Sequence, residues 1–494
     1  MQPRWGVNAG RHEMTLTGDA QSFIVQAEMS LDTLKLSVVW KNRWRRYGAV
    51  AASAVLFCLG IGLRVTNLHN VTGRTPDETV YTKQTNVLLQ SGNAGLRVLV
   101  AEYQNDPTMR LFPPPTRTGY LRMLAVTMRL TGKTDESAGA YLSCAASIGS
   151  LLLLALFGLR FFPPWAAVVA LLFFAVSPPE LELARRTWGD ALVGFIALAL
   201  VAVSAQITRD SRQPLWYVLF VLLGGFGILV KESWPIVLVL CTVWVLWVLF
   251  IELKDWKNAC ILLAGATAAV VGSIAWLASS VGGFSVVAGI FPNLIHANSA
   301  NPYALEYQSG PGYLLLQAFW VLTPLVAVLC PLGLAVIFFS RPKLNLLLGG
   351  AGAGDWEVMR WSALLLLSFL AIPMMLPHWL NLRYLSPAFG PFCLTAGVGL
   401  WYAATWCWNR LTTTGRIALA LLLAGGLAVA ARQDYQRFRL MFVTNEMGDL
   451  SIKLLLDPSS LVAPAQSQPS ASENRPLGRN SKEDRSDLLA RKTR

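Results

Sequence analysis

Apolar runs separated by short polar connections recur along the chain from residue 47 to residue 431. They fall at about 47–63, 140–159, 164–176, 188–207, 215–230, 234–251, 260–281, 313–339, 361–375, 385–408 and 417–431, most of them near the ~20 residues that cross ~30 Å of hydrocarbon. The pattern predicts an all-α polytopic membrane protein with about eleven transmembrane helices. Residues 1–46 lack an apolar core of signal-peptide type and end in Lys41, Arg43, Arg45 and Arg46, so they stay in the cytoplasm as an N-terminal segment. Counting from there, the internal connections hold Arg160, Arg209, Arg212, Lys254, Lys257, Arg341, Lys343, Arg410 and Arg416, as the positive-inside bias requires. The end of the chain conflicts with this count. After an eleventh span residues 432–494 lie outside, yet they open with Arg432, Arg437 and Arg439 before a Ser/Pro-rich, largely disordered tail.

The first external connection, 64–138, has structure of its own. A helix is expected from Asp77 to about Gln90, closed by Gly92, then a turn-rich part ending in Pro113, Pro114 and Pro115. A basic amphipathic stretch follows at 120–130, with Leu121, Leu124, Ala125 and Met128 on one face, as in a helix lying at the membrane interface. The first helix begins in RTPDETVY (74–81). Thr75 is placed as N-cap, Pro76 at the first helical position and Glu78 three residues after the cap, which is a capping box. Asp77 and Glu78 then either serve the helix start alone or also present carboxylates to a substrate hydroxyl at the membrane surface. The two roles are compatible.

Composition supports the same class. Of 494 residues 54% are hydrophobic and 14% charged, with 18 Trp and a mean hydropathy of +0.47, more apolar surface than a water-soluble chain could cover. The net charge of +13 sits in short clusters between apolar runs, which orients the spans and meets lipid headgroups, and no nucleic-acid module is present. All seven cysteines lie in or at the edge of apolar runs without CxxC spacing, so neither disulfides nor zinc are implied.

On this topology the outer face gathers Asp77, Glu78, the segment ELELARRTWGD (180–190), Lys231 and Glu232, the loop 282–312, and HWLNLRY (378–384). Charges at span ends are costly unless solvated, paired or used, so their grouping marks a polar cleft. Simpler pairings also fit: Arg186 with Asp190 four residues on, and Lys231 with Glu232 as a snorkelling pair. His69, His296 and His378 fall on this face without ligand-like spacing, so no metal or other cofactor is expected.

The order of PDETVY, PPP followed by GYLRMLAVTMRLTG, ARRTWGDALVGFIALAL, KES, YQSGPGYLLL and RYLSPAFGPF resembles the GT-C membrane glycosyltransferases, in particular the protein mannosyltransferases and the aminoarabinose transferase of lipid A. The resemblance covers most of 45–410. It implies Asp77 as catalytic base, Glu78 as a supporting carboxylate, Asp190 as a second acid of the site, and Arg383 and Tyr384 with Lys231 at the phosphate of a polyprenyl-linked sugar donor. Arg186 is a further candidate for that phosphate, and Tyr81, Glu232, His378 and Tyr307 for substrate contacts. The expected reaction is an inverting single displacement onto a hydroxyl or amine of a lipid, glycan or protein acceptor, at the outer face of a bacterial plasma membrane. Leu111 and Phe112 stand where relatives often carry a polar or histidine residue, and no large soluble domain follows the last span, so the acceptor does not transfer. A transporter or flippase is the competing class; against it, the sequence shows no internal repeat and its charges lie at span ends.

Overall fold

The structure, a computed structural model, describes residues 46–71, 73–339, 353–376 and 378–457. The N-terminal segment to 45, the pair Arg341 and Lys343, and the tail beyond 457 lie outside the described residues. Within them the fold is helical, without named strands. In chain order the helices are α1 (Arg46–Asn67), α2 (Pro76–Asn105), α3 (Thr118–Thr131), α4 (Glu136–Phe161), α5 (Pro164–Val176), α6 (Pro178–Leu183), α7 (Asp190–Arg209), α8 (Pro214–Val230) and α9 (Trp234–Trp247). They continue as α10 (Trp256–Val281), α11 (Phe284–Ala300), α12 (Pro302–Tyr307), α13 (Tyr313–Leu322), α14 (Pro324–Phe339), α15 (Ala353–Met375), α16 (Ser386–Trp408), α17 (Thr413–Phe438) and α18 (Ile452–Leu456).

Among the described residues seven helices are long and apolar enough to cross a membrane, and four shorter apolar ones (α5, α8, α13, α14) stand among them. This is an integral membrane protein. The expected span at 313–339 is two helices, because Pro324 disfavours helical geometry at Thr323, whose φ −141°, ψ 65° ends α13. At the centre α16 packs against α5, α7 and α14. The approach depends on glycine: a Cβ on Gly397 would lie 2.3 Å from the Ala166 carbonyl oxygen, and one on Gly333 1.9 Å from that of Thr395.

Three expectations change in the periphery. Gly92 (φ 58°, ψ −142°) kinks α2 instead of ending it, since Leu96, Leu99, Val100 and Tyr103 beyond the kink find buried sites. The apolar face of α3, predicted for the membrane interface, is covered by protein: Tyr120, Leu121, Leu124, Ala125 and Met128 are buried among α2, α4 and α8. The last long helix runs past 431 to Phe438 and a final π turn at Arg439–Thr444, and residues 445–457 then fold back onto the bundle. Asn67 near the end of α1 reaches Tyr435 near the end of α17 (3.4 Å), so both helices end on one side, and Arg432, Arg437 and Arg439 lie there with the polar cluster. Arg437 is held locally by Asp434 at 2.8 Å.

Candidate active site

The site begins at the start of α2. Glu78 reaches back so that one oxygen accepts the Thr75 N–H at 2.9 Å, and its other oxygen accepts the Thr187 N–H at 2.8 Å. Arg74 (2.8 Å) and Arg186 (3.1 Å) complete its shell, and the residue is fully buried. Burial alone would raise this carboxyl, but Arg186 and Arg74, with the two backbone amides, outweigh it and hold it below the usual carboxylate range. Glu78 is thereby committed to fixing the helix start to the 182–187 segment. One residue earlier, and about 100° around the helix, Asp77 points into a cavity.

That cavity, about 410 Å³, opens among α2, the loop 110–117, α9, α12, α15 and the 379–384 turn. Three ion pairs line it. Asp77 holds Arg383 at 2.9 Å; Asp190 holds Lys231; Glu232 takes the Arg117 fork, with nitrogens at 2.7 and 3.0 Å, while Arg117 also donates to the Tyr81 hydroxyl. The Arg383 guanidinium lies 5.5 Å from the ring centres of both Trp188 and Tyr384, and Lys231 4.9 Å from that of Tyr384. Burial opposes charge on Arg383, yet Tyr384, Asp77, Asp449 and Asp190 together raise it well above the ordinary arginine value. Lys231 goes the other way, lowered by burial even with Asp190 against it. Ile236, Phe369, Ile372, Pro373 and Leu376 add apolar lining to the same cavity.

The structure thus brings seven of the sequence-predicted residues to one cavity: Asp77, Tyr81, Asp190, Lys231, Glu232, Arg383 and Tyr384. Four stand elsewhere. Glu78 is buried as above, and Arg186 is spent on Glu182, Glu78 and the Gly73 and Met447 carbonyls. His378 sits at φ 65° with Nδ1 buried and unpartnered, and Tyr307 packs its ring against Tyr303 at 5.0 Å without lining the cavity. The simple local pairs do not form either: Asp190 leaves Arg186 for Lys231, because residues 184–189 are turns that break the helical spacing, and Lys231 and Glu232 part to different partners. Among the described residues no three His, Cys, Asp or Glu side chains converge as metal ligands.

Trp188, Arg117, Tyr303 and Asp449 are among the cavity residues to which the sequence assigned no role. Trp188 lay inside a quoted motif without a role, Arg117 follows the proline run, and Tyr303 follows Asn301–Pro302. Asp449 lies in the segment read as tail, where only its polarity distinguishes it.

No family model matches the chain, and no curated protein matches it. Among solved structures it is similar to the oligosaccharyltransferase of Archaeoglobus fulgidus in the apo form, at 13% identity and a TM-score of 0.53, over 79% of this chain and 56% of that one. The fold is GT-C. This chain therefore spans little more than half of that oligosaccharyltransferase. Similarity also extends to ArnT from Cupriavidus metallidurans in the apo state (14% identity, TM-score 0.48, 83% of this chain and 77% of that one) and bound to undecaprenyl phosphate (16%, 0.44, 79% and 70%). At 13% identity the likeness to the oligosaccharyltransferase speaks to the fold alone.

Proposed function

We propose that the chain is a membrane glycosyltransferase that moves a sugar from a polyprenyl phosphate to an acceptor hydroxyl or amine, with Asp77 as base. The single observation that carries this is the cavity: a carboxylate faces a guanidinium within 2.9 Å, and aliphatic and aromatic side chains line the same space. Such a surface suits a ligand with an anionic head and an apolar tail. The GT-C fold, shared with an oligosaccharyltransferase, supports glycosyl transfer.

In the reaction the acceptor oxygen or nitrogen attacks the anomeric carbon as its proton passes to Asp77, and the bond from that carbon to the phosphate oxygen breaks. The sugar leaves with inverted configuration and the polyprenyl phosphate departs with the bonding electrons, its charge met by Arg383 and Lys231. Arg383 offers a planar fork to two phosphate oxygens, where Lys231 offers a point charge. Asp77 and Arg383 hold each other at 2.9 Å, and a sugar phosphate bound between them separates base from guanidinium.

The reading also places the cavity on the non-cytoplasmic face, since Arg160 and Arg209, both stacked on Phe161, and Lys254 lie at the opposite end of the bundle. The test is to incubate the purified protein with a labelled polyprenyl-phosphate sugar and an acceptor extract. Release of polyprenyl phosphate with sugar on the acceptor is expected. Movement of intact lipid-linked sugar without cleavage would replace this reading with a transporter.

A further inference from the structure

Arg383 sits in a turn with little regular structure to hold it: Leu382–Leu385 is one 3-10 turn, and Asn381 before it is extended. The C-terminal segment supplies the missing support. Leu382 donates its N–H to the Leu450 carbonyl (3.0 Å) and Ile452 donates to Leu380 (3.1 Å), an antiparallel bridge centred on Asn381 and Ser451. Inside the bridge Asn381 is fully buried, its side-chain oxygen accepting the Arg383 N–H at 3.0 Å. That orientation is imposed by Asp449, a carboxylate with only acceptors, which takes the Asn381 amide N–H at 3.0 Å and so turns the amide oxygen toward Arg383. Asp449 is itself anchored: the Tyr303 hydroxyl donates to it at 2.5 Å, Leu450 N–H at 2.7 Å, and Ser451 hydroxyl as well. At the far end of the same chain of contacts Arg383 lines the cavity, with its Nε buried and without a partner.

We infer that Asp449 is a positioning residue for the donor phosphate: through Asn381 and Tyr303, residues 445–457 hold the Arg383 fork at the angle that an anionic phosphate needs. This rests on the reading of Arg383 given under the proposed function. It makes the segment after the last long helix part of the donor site. Its charge argues against a direct role, because a carboxylate beside a phosphate repels it; the benefit comes only through the geometry it imposes.

The experiment measures binding of labelled undecaprenyl phosphate to the full-length protein in detergent, for wild type, Asp449→Asn and Tyr303→Phe, each alone and on an Arg383→Ala background, with thermal unfolding in parallel. Asp449→Asn is expected to weaken binding about tenfold, the scale of losing a hydrogen bond to a charged group, and Tyr303→Phe about threefold. On the Arg383→Ala background neither should weaken it further, because the effect travels through Arg383. In turnover, donor KM should rise with kcat nearly unchanged. Unchanged or tighter binding in Asp449→Asn, as removal of a repelling charge alone would give, overturns the inference, and so does an equal loss on both backgrounds. If Asp449→Asn fails to fold, Tyr303→Phe decides the matter by the same criteria. Wild-type protein that binds no polyprenyl phosphate overturns the glycosyltransferase reading too, whereas binding that no variant alters overturns this inference alone.

Discussion

Asp77 and Glu78 are neighbours in one helical turn, and the structure predicts opposite phenotypes for their amides. Glu78 is fully buried against two arginines at 2.8 and 3.1 Å and two backbone N–H groups. Glu78→Gln keeps the shape but strips the charge from a buried pair, leaving Arg186 with Glu182 alone, and should cost about 3 kcal/mol of stability. Asp77 has one ionic partner, and the two side chains keep 22% and 18% of their surface in the open cavity. Asp77→Asn retains an oxygen for Arg383, so its stability cost should stay near 1 kcal/mol. As a missing base, however, it should slow transfer by roughly 10²- to 10⁴-fold, which is about 3 to 5 kcal/mol on the barrier. The assay is sugar transfer at saturating donor beside thermal unfolding of each purified variant. Asp77→Asn retaining more than about a tenth of wild-type turnover would refute its role as base. Glu78→Gln melting with wild type would refute the assignment of Glu78 to holding the helix start.

The same carboxyl gives a pH signature. Because Glu78 is held below its ordinary value, its stabilisation is present above about pH 4.3, the unfolded value, and is lost as pH falls through the folded one, so melting curves of wild type and Glu78→Gln should converge in acid. Arg383→Lys keeps charge without the fork and should raise donor KM and slow turnover, with Arg383→Ala worse on both; steady-state kinetics that leave Arg383→Ala unaffected would remove it from the site. On a cysteine-free background, cysteines at the exposed positions Thr108 and Thr134 should react with an impermeant reagent from outside intact cells, and those at Arg212 and Lys254 only after lysis. A reversed pattern would put the cavity in the cytoplasm.

Much of the fold could be read from the sequence because lipid demands long apolar runs, and runs such as 136–161 and 256–281 announce themselves. The misreadings have local causes. Pro324 broke a run that hydropathy alone joins, and Gly92 looked like a stop because the contacts that carry α2 past it are tertiary. At the site the capping box of Thr75 and Glu78 was legible, since it is spacing along one helix. Which of two adjacent carboxylates faced the cavity was not, because it depends on Arg186 and Thr187 more than a hundred residues away. Arg117 and Asp449 were invisible for the same reason: each matters through a distant partner, Glu232 in one case and Asn381 in the other.

The separation of partners along the chain also sets a timetable. Asp77 and Arg383 are 306 residues apart. With synthesis at about 5–20 residues per second, the carboxylate waits roughly 15 to 60 s after its own emergence before its guanidinium exists. Glu78 waits less, since Arg186 follows it by 108 residues, but the Met447 carbonyl that also takes Arg186 comes 261 residues later still. A ribosome still at work on this chain therefore tethers a half-built site in which Glu78 has Arg74, Asp190 has Lys231 and Glu232 has Arg117, while Asp77 has water or headgroups for company. Two of the three cavity pairs are complete by residue 232, and only the Asp77–Arg383 pair closes when the last helices arrive.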